Sequence, residues 1–105
     1  MKQVRRSDEA QKDIDGIVVH YSRESLVLAN RFIRQYETSI RAIAAMPGRG
    51  SPRFGNELGI PDLRTYAMRD FPYLVFYRDH IDAIDIDRVL HSHRDVFRLL
   101  TGSND

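Results

Sequence analysis

Residues Leu63 to Asp95, LRTYAMRDFPYLVFYRDHIDAIDIDRVLHSHRD, hold three β-prone runs that lie too close together for any arrangement but antiparallel strands. The runs are Leu63 to Met68, Tyr73 to Arg78 and Ala83 to His91. They are rich in aromatic and β-branched residues and are separated by the turn-forming clusters Arg69-Asp70-Phe71-Pro72 and Asp79-His80-Ile81-Asp82. A parallel crossover needs a dozen or more residues, so a chain with connections this short doubles back at each turn. The stretch is therefore a three-stranded meander. Alternation sets Leu63, Thr65 and Ala67 against Arg64, Tyr66 and Met68, and Tyr73, Val75 and Tyr77 against Leu74, Phe76 and Arg78. Both faces are partly apolar: one covers the helices, and the other, with Arg64 or Arg78 among aromatics, has the character of a binding surface. In the last run the apolar phase shifts from Ile84 and Ile86 to Val89. Either a bulge re-aims the chain near Asp87, or Arg88 lies with its stem against the core.

Upstream, Gln3 to Arg6 is a short candidate strand. Ser7 then precedes Asp8 and Glu9, the pattern of a capped helix start with acidic side chains at its positive end. Ala10, Ile14, Ile17, Val18 and Tyr21 recur at helical spacing. After Ser22 to Ser25 a second helix runs to about Met46, with Ala29, Phe32, Ile33, Tyr36, Ile40, Ile43 and Ala44 on one face, and Pro47-Gly48 stops it. Helices joined by so few residues form an antiparallel hairpin. Leu26, Val27 and Leu28 exceed what one apolar stripe needs, either as the hairpin contact or as part of a groove for a partner. From Pro47 to Pro61, four glycines and three prolines in fifteen residues predict a loop, pinned to the body by Phe54 and Leu58. The expected fold is α+β: a short N-terminal strand, then a two-helix hairpin packed on the C-terminal meander, forming one domain over residues 1–101 with a frayed tail at 102–105.

Composition excludes several classes. No apolar run approaches the roughly 18 residues of a membrane span, and the start lacks a secretory pattern, so the cytoplasm is expected. Cysteine is absent, which removes disulfides and thiol nucleophiles, and the four histidines have no metal-type spacing. The glycine-rich loop lacks the lysine-serine ending of a P-loop and leads into a strand, so no cofactor or metal is expected. A net charge of +1 rules out a uniformly basic coat and leaves electrostatic steering to local patches.

Several motifs resemble the RelE/ParE family of bacterial toxins, and its ParE-like branch in particular. They are Leu63-Arg64, Pro72-Tyr73-Leu74-Val75-Phe76-Tyr77-Arg78, Arg88-Val89-Leu90-His91, Arg94-Asp95, the opening Ser7, Ala10 and Asp13, and Pro47 to Gly50. The resemblance implies the toxin of a type II toxin-antitoxin system, with a cognate antitoxin as partner. One branch of the family is made of ribosome-dependent ribonucleases that cut messenger RNA with sheet lysines and arginines plus a C-terminal tyrosine or histidine; the other poisons DNA gyrase by protein contact. This chain has no lysine after Lys12, and it has Val96-Phe97 where that tyrosine would follow Arg94-Asp95. Phenylalanine transfers no proton, so gyrase is the expected target, with Arg64, Arg69 and Arg94 as target-binding residues. The alternative is a metal-independent ribonuclease using Arg64, His91 and Arg94, with His91 as acid or base and Arg94 on the phosphate; an inactive binding module of the same fold is a third reading. The antitoxin is expected on Leu26, Leu28, Arg31, Arg34 and Arg41. Each choice has a plainer counterpart: His91 as a structural hydrogen-bonding residue, Arg94-Asp95 as a local ion pair, and Tyr73, Phe76 and Tyr77 as core aromatics.

Overall fold

A computed structural model describes residues 2–101, so the expected tail at 102–105 lies outside the described residues. The elements are β1 (Gln3–Arg6), α1 (Asp8–Ser22), α2 (Leu26–Ala45), a single 3-10 turn (Pro47–Arg49), α3 (Arg53–Leu58), β2 (Leu63–Ala67), β3 (Tyr73–Asp79), β4 (Ala83–His91) and α4 (Arg94–Thr101). Both long helices begin where their serines predict: Ser7 Oγ accepts from Ala10 N at 3.0 Å and Ser25 Oγ from Leu28 N at 3.3 Å. Such caps satisfy amide groups that the helix cannot and are each worth about 1 kcal/mol.

The meander forms as expected, β2 antiparallel to β3 and β3 antiparallel to β4. The sheet order is β1-β4-β3-β2, with β1 parallel to β4 through Gln3↔Ala83 to Arg6↔Ile86. A bulge resolves the phase shift in β4: Phe76 faces Arg88, Tyr77 faces Ile86, and Asp87 is the extra residue. Past the end of β1 the outer edge of β4 is closed by Asp13 of α1. Its carboxylate accepts from Val89 N at 3.0 Å and from Nε and Nη2 of Arg88 at 2.8 and 3.0 Å. Arg88 is thus an exposed ion-pair partner whose geometry is bidentate.

Two cores sandwich the sheet. On one side Ala10, Ile14, Ile17, Phe32, Tyr36 and Ile43 of the hairpin pack against Tyr73, Val75, Tyr77, Ile84, Ile86 and Val89. On the other, Leu63, Phe76, Leu90 and Val96 pack with Phe54, Leu58 and Leu74. This second core corrects two expectations. The run Pro47 to Pro61 is not all loop, because Arg53–Leu58 is helical and lays Phe54 and Leu58 on the sheet. Its close seating depends on Gly55, where an added Cβ would stand 2.5 Å from the Leu63 carbonyl oxygen and 2.6 Å from that of Ile60. The far face of the meander is likewise not an open binding surface: α3 and Val96 of α4 cover it, and Arg78 on that face is engaged by Asp87 at 2.7 Å and Asp85 at 3.8 Å. The sequence showed no helix over Arg94–Thr101, since eight residues are too few to display a period or to hold a helix without packing.

Candidate functional surfaces

At one end of the sheet the start of β3, the end of β4 and the first turn of α4 bring together Tyr73, His91, Arg94 and Asp95. Tyr73 pairs with His91 across the ladder, and their rings meet edge to face at 5.5 Å. His91 Nδ1 accepts from the backbone N–H groups of His93 and Arg94, at 3.2 and 3.1 Å, and so caps α4 as a serine would. Asp95 closes the turn from the other side, accepting from His91 N and Arg94 Nε, each at 3.0 Å.

Protonation states follow from these contacts. Burial, then the neighbouring Arg94 guanidinium, pushes the His91 pKa down. With Nδ1 occupied as an acceptor, the neutral ring carries its proton on Nε2, and protonating Nδ1 breaks the cap. Burial pushes Asp95 up, but the bonds from Arg94 and the His91 amide outweigh it and hold the carboxyl below its ordinary value. The Tyr73 hydroxyl is pushed up to about 12 by burial and by Tyr21 beside it. The Tyr73 hydroxyl therefore keeps its proton at neutral pH and the Asp95 carboxyl gives its up.

Arg64 lies elsewhere. It pairs with Tyr77, four residues along β3 from Tyr73, which separates it from His91 by roughly 13 Å along the strand direction. Its Nη1 donates to the carbonyls of Gly50 at 2.7 Å and Gly48 at 3.3 Å, and Tyr77 beside it donates to Pro47 O at 2.6 Å and accepts from Gly50 N at 2.9 Å. Arg64 and Tyr77 together hold the turn after α2. Arg69, by contrast, is exposed in the β2–β3 turn, whose Pro72 carbonyl accepts from Ser92 N at 2.8 Å, so Arg69 and Arg94 share the sheet end that Arg64 does not. The structure therefore joins His91 with Arg94 but leaves Arg64 apart from both.

A groove runs between α1, α2 and β1. Two adjoining clefts of about 470 and 420 Å³ share Arg6, Tyr36 and Glu37; Val4, Ile40, Arg41 and Ile86 line one, and Ile14, Val18 and Ile33 line the other. Beyond the groove, at the hairpin tip, Leu26 and Val27 are 72% and 69% exposed. The residues expected to take the antitoxin do not all face this groove. Arg41 lines it, Leu28 is half-buried against the core, and Arg31 lies on the far flank of α2, 6.0 Å over the Phe71 ring. Sequence reasoning missed Arg6, which donates to the Tyr36 hydroxyl at 3.4 Å, and set Ile33 and Ile40 on one apolar face with Phe32 and Tyr36, whereas Ile33 is exposed and Ile40 sits half-buried at the edge of the core. Leu26, Ile33 and Ile40 are spaced by seven, a second seam beside the buried one, and that spacing was the available signal.

The sequence profile of the family described as "ParE toxin of type II toxin-antitoxin system, parDE" matches residues 4–96. The chain belongs to the ParE toxin family. No curated protein is similar enough in sequence to be matched to it. Among solved structures, a chain of the "Chromosomal ParDE TA system from P. aeruginosa" matches with a TM-score of 0.72 at 21% identity, over 87% of this chain and 96% of that one, a likeness that shows the fold. Membership in a toxin-antitoxin family implies an antitoxin partner for this ParE-type toxin. No helix among its described residues is long and apolar enough to cross a membrane.

Proposed function

We propose that this ParE-type toxin acts in the cytoplasm by poisoning DNA gyrase through protein contact, without a cofactor, using Arg69 and Arg94 at one sheet end and Arg64 further along the same sheet. The observation that carries the reading is the use of His91 as a helix cap. For its Nε2 to take a proton, the ring must move its own proton onto Nδ1, which loses two hydrogen bonds and the start of α4. A contact inhibitor requires no such transfer. Purified toxin should inhibit gyrase supercoiling and trap cleaved DNA, and Arg94→Glu should reduce both while the fold persists. Unaffected supercoiling at saturating toxin would refute it. The ribonuclease alternative keeps one specific support, the juxtaposition of Tyr73, His91 and Arg94; messenger RNA cleavage in induced cells that disappears in His91→Ala with the fold intact would establish it instead.

The antitoxin reading shifts with the geometry. An amphipathic antitoxin helix would lie in the groove over Ile33 and Ile40, with acidic side chains toward Arg6 and Arg41. Apolar burial then supplies most of the affinity, and rim charges govern on-rate and salt dependence. Ile33→Ala is expected to weaken binding by about tenfold, since trimming a well-packed apolar contact costs roughly 1–2 kcal/mol. Leu28→Ala should lower toxin stability more than affinity. Titration calorimetry with the antitoxin segment should show a negative heat-capacity change and survive about 0.5 M salt, where exposed ion pairs are screened. Binding abolished by that salt and indifferent to Ile33→Ala would place the antitoxin elsewhere.

A further inference from the structure

Folding separates charges that the sequence leaves mixed. Asp13, Asp79, Asp85, Asp87, Asp95 and Glu57 each lie within 4 Å of a cationic side chain: Arg88, Lys2, Arg5, Arg78, Arg94 and Arg53 respectively. Along the flank where α2 runs beside β2 the opposite holds. Among the described residues Arg31, Arg34, Arg41, Arg49 and Arg69 have no carboxylate partner, and Arg64 is held by carbonyl groups. Arg31 over Phe71 marks one end of this flank and the turn held by Arg64 marks the other, so α2 is antiparallel to β2 and its arginines form a row. Beside the row opens a cleft of about 210 Å³ lined by Gln35, Thr38, Ser39, Tyr66 and Arg69, with hydroxyl and amide groups and no acid. Arg41 reaches toward it, donating to Thr38 Oγ1 at 3.2 Å.

We propose that this flank binds the phosphate backbone of double-stranded DNA. The row is all arginine, whose planar fork suits phosphate oxygens, and the cleft offers further hydrogen-bond partners. A surface with charge but little apolar area gains affinity chiefly by releasing counterions, which a duplex supplies in quantity and a peptide does not. An acidic peptide depends on apolar anchors, and those line the groove on the other side of α2, which the row touches only through Arg41. A single strand calls for exposed aromatic platforms, whereas the one aromatic ring lining this cleft, Tyr66, is half-buried. The surface shares Arg64 and Arg69 with the gyrase reading and Arg41 with the antitoxin reading but rests on neither, since neither requires the toxin to hold DNA by itself.

Fluorescence anisotropy of the full-length toxin with a labelled short duplex tests it. Affinity should fall with salt at a logarithmic slope of about −0.9 per phosphate neutralised. Arg31→Glu with Arg34→Glu should weaken binding by at least about tenfold and flatten that slope by about 2, with the far-ultraviolet circular dichroism unchanged. Lys12→Glu, an equal charge change per residue on the exposed face of α1, should leave affinity within about twofold if binding is local rather than a net-charge effect. No duplex binding at low salt would overturn the proposal, as would equal sensitivity to Lys12→Glu or preference for the single strand. Displacement of the duplex by polyglutamate at matched charge would overturn it too, in favour of an acidic peptide.

Discussion

Replacing Phe32 with alanine is expected to destabilise the toxin by about 3–5 kcal/mol, a large share of the roughly 5–15 kcal/mol that holds such a domain folded. Phe32 is fully buried at the centre of an aromatic cluster: its ring lies 5.5 Å from Phe71, 5.7 Å from Tyr73 and 6.0 Å from Tyr21. Those contacts tie α2 to α1, to the β2–β3 turn and to β3, so the cavity cannot be closed by moving one element. The loss combines the transfer free energy of the ring with the unfilled space and the edge-to-face geometry of two of the pairs. A melting-temperature drop of roughly 12 °C or more should follow, at about 4 °C or more per kcal/mol. A drop of only a few degrees would mean that the hairpin is not seated on the sheet through this ring. Ile33→Ala on the same helix faces the groove and should cost much less, which separates core from docking surface within one element.

The second large effect is expected at the turn after α2, where Gly50→Ala should cost about 3 kcal/mol, the upper end of the range for overpacking. A Cβ on Gly50 would collide with the Tyr77 hydroxyl and stand 2.8 Å from its Cε1 and 2.9 Å from the Thr65 carbonyl oxygen. The backbone oxygen cannot step aside, because Thr65 is bridged to Ser51 by bonds of 2.8 and 3.0 Å. Tyr77→Phe should cost about 1–3 kcal/mol by a different route, leaving the buried Gly50 amide without its partner and freeing the Pro47 carbonyl. In the double variant the hydroxyl clash is gone but the contacts with Cε1 of the ring and with the Thr65 carbonyl remain. Chemical denaturation should therefore give a combined loss smaller than the sum of the two, by about 0.5 kcal/mol or more. Strict additivity would show that the hydroxyl does not hold this turn.

Local chemistry was the most legible part of the sequence. Ser7 and Ser25 cap the helices because a capping side chain bonds an amide three residues away, and no distant residue is needed to arrange it. The meander was legible for a similar reason: turns of a few residues permit only antiparallel return. Of the two accounts of the β4 phase shift, deciding in favour of the bulge at Asp87 required the partner strand, because register belongs to a pair. The helices Arg53–Leu58 and Arg94–Thr101 escaped detection because each is too short to stand without tertiary packing, and the sheet face that stabilises them cannot be read from their own residues.

The candidate site divides along the same line. The residue types were present in the sequence: His91, Arg94 and Asp95 in one short run, an arginine-rich second helix, and the seven-residue spacing of Leu26, Ile33 and Ile40. What each does follows from the folded arrangement. It placed β1 against β4, setting Arg6 and Val4 beside Tyr36 and Ile40, and it turned His91 inward as a cap for α4. It also gave Asp13, Asp79, Asp85 and Asp87 cationic partners from other parts of the chain, whereas Glu57 and Asp95 pair within their own short helices, and it left the arginines beside β2 with no carboxylate partner among the described residues. Caps, turns and alternation follow from residues only a few positions apart, and so the order of residues sets them. Exposure, pairing and protonation depend on which distant group arrives at contact distance, since Coulomb and hydrogen-bond energies fall off over a few ångströms, and that was decided by packing.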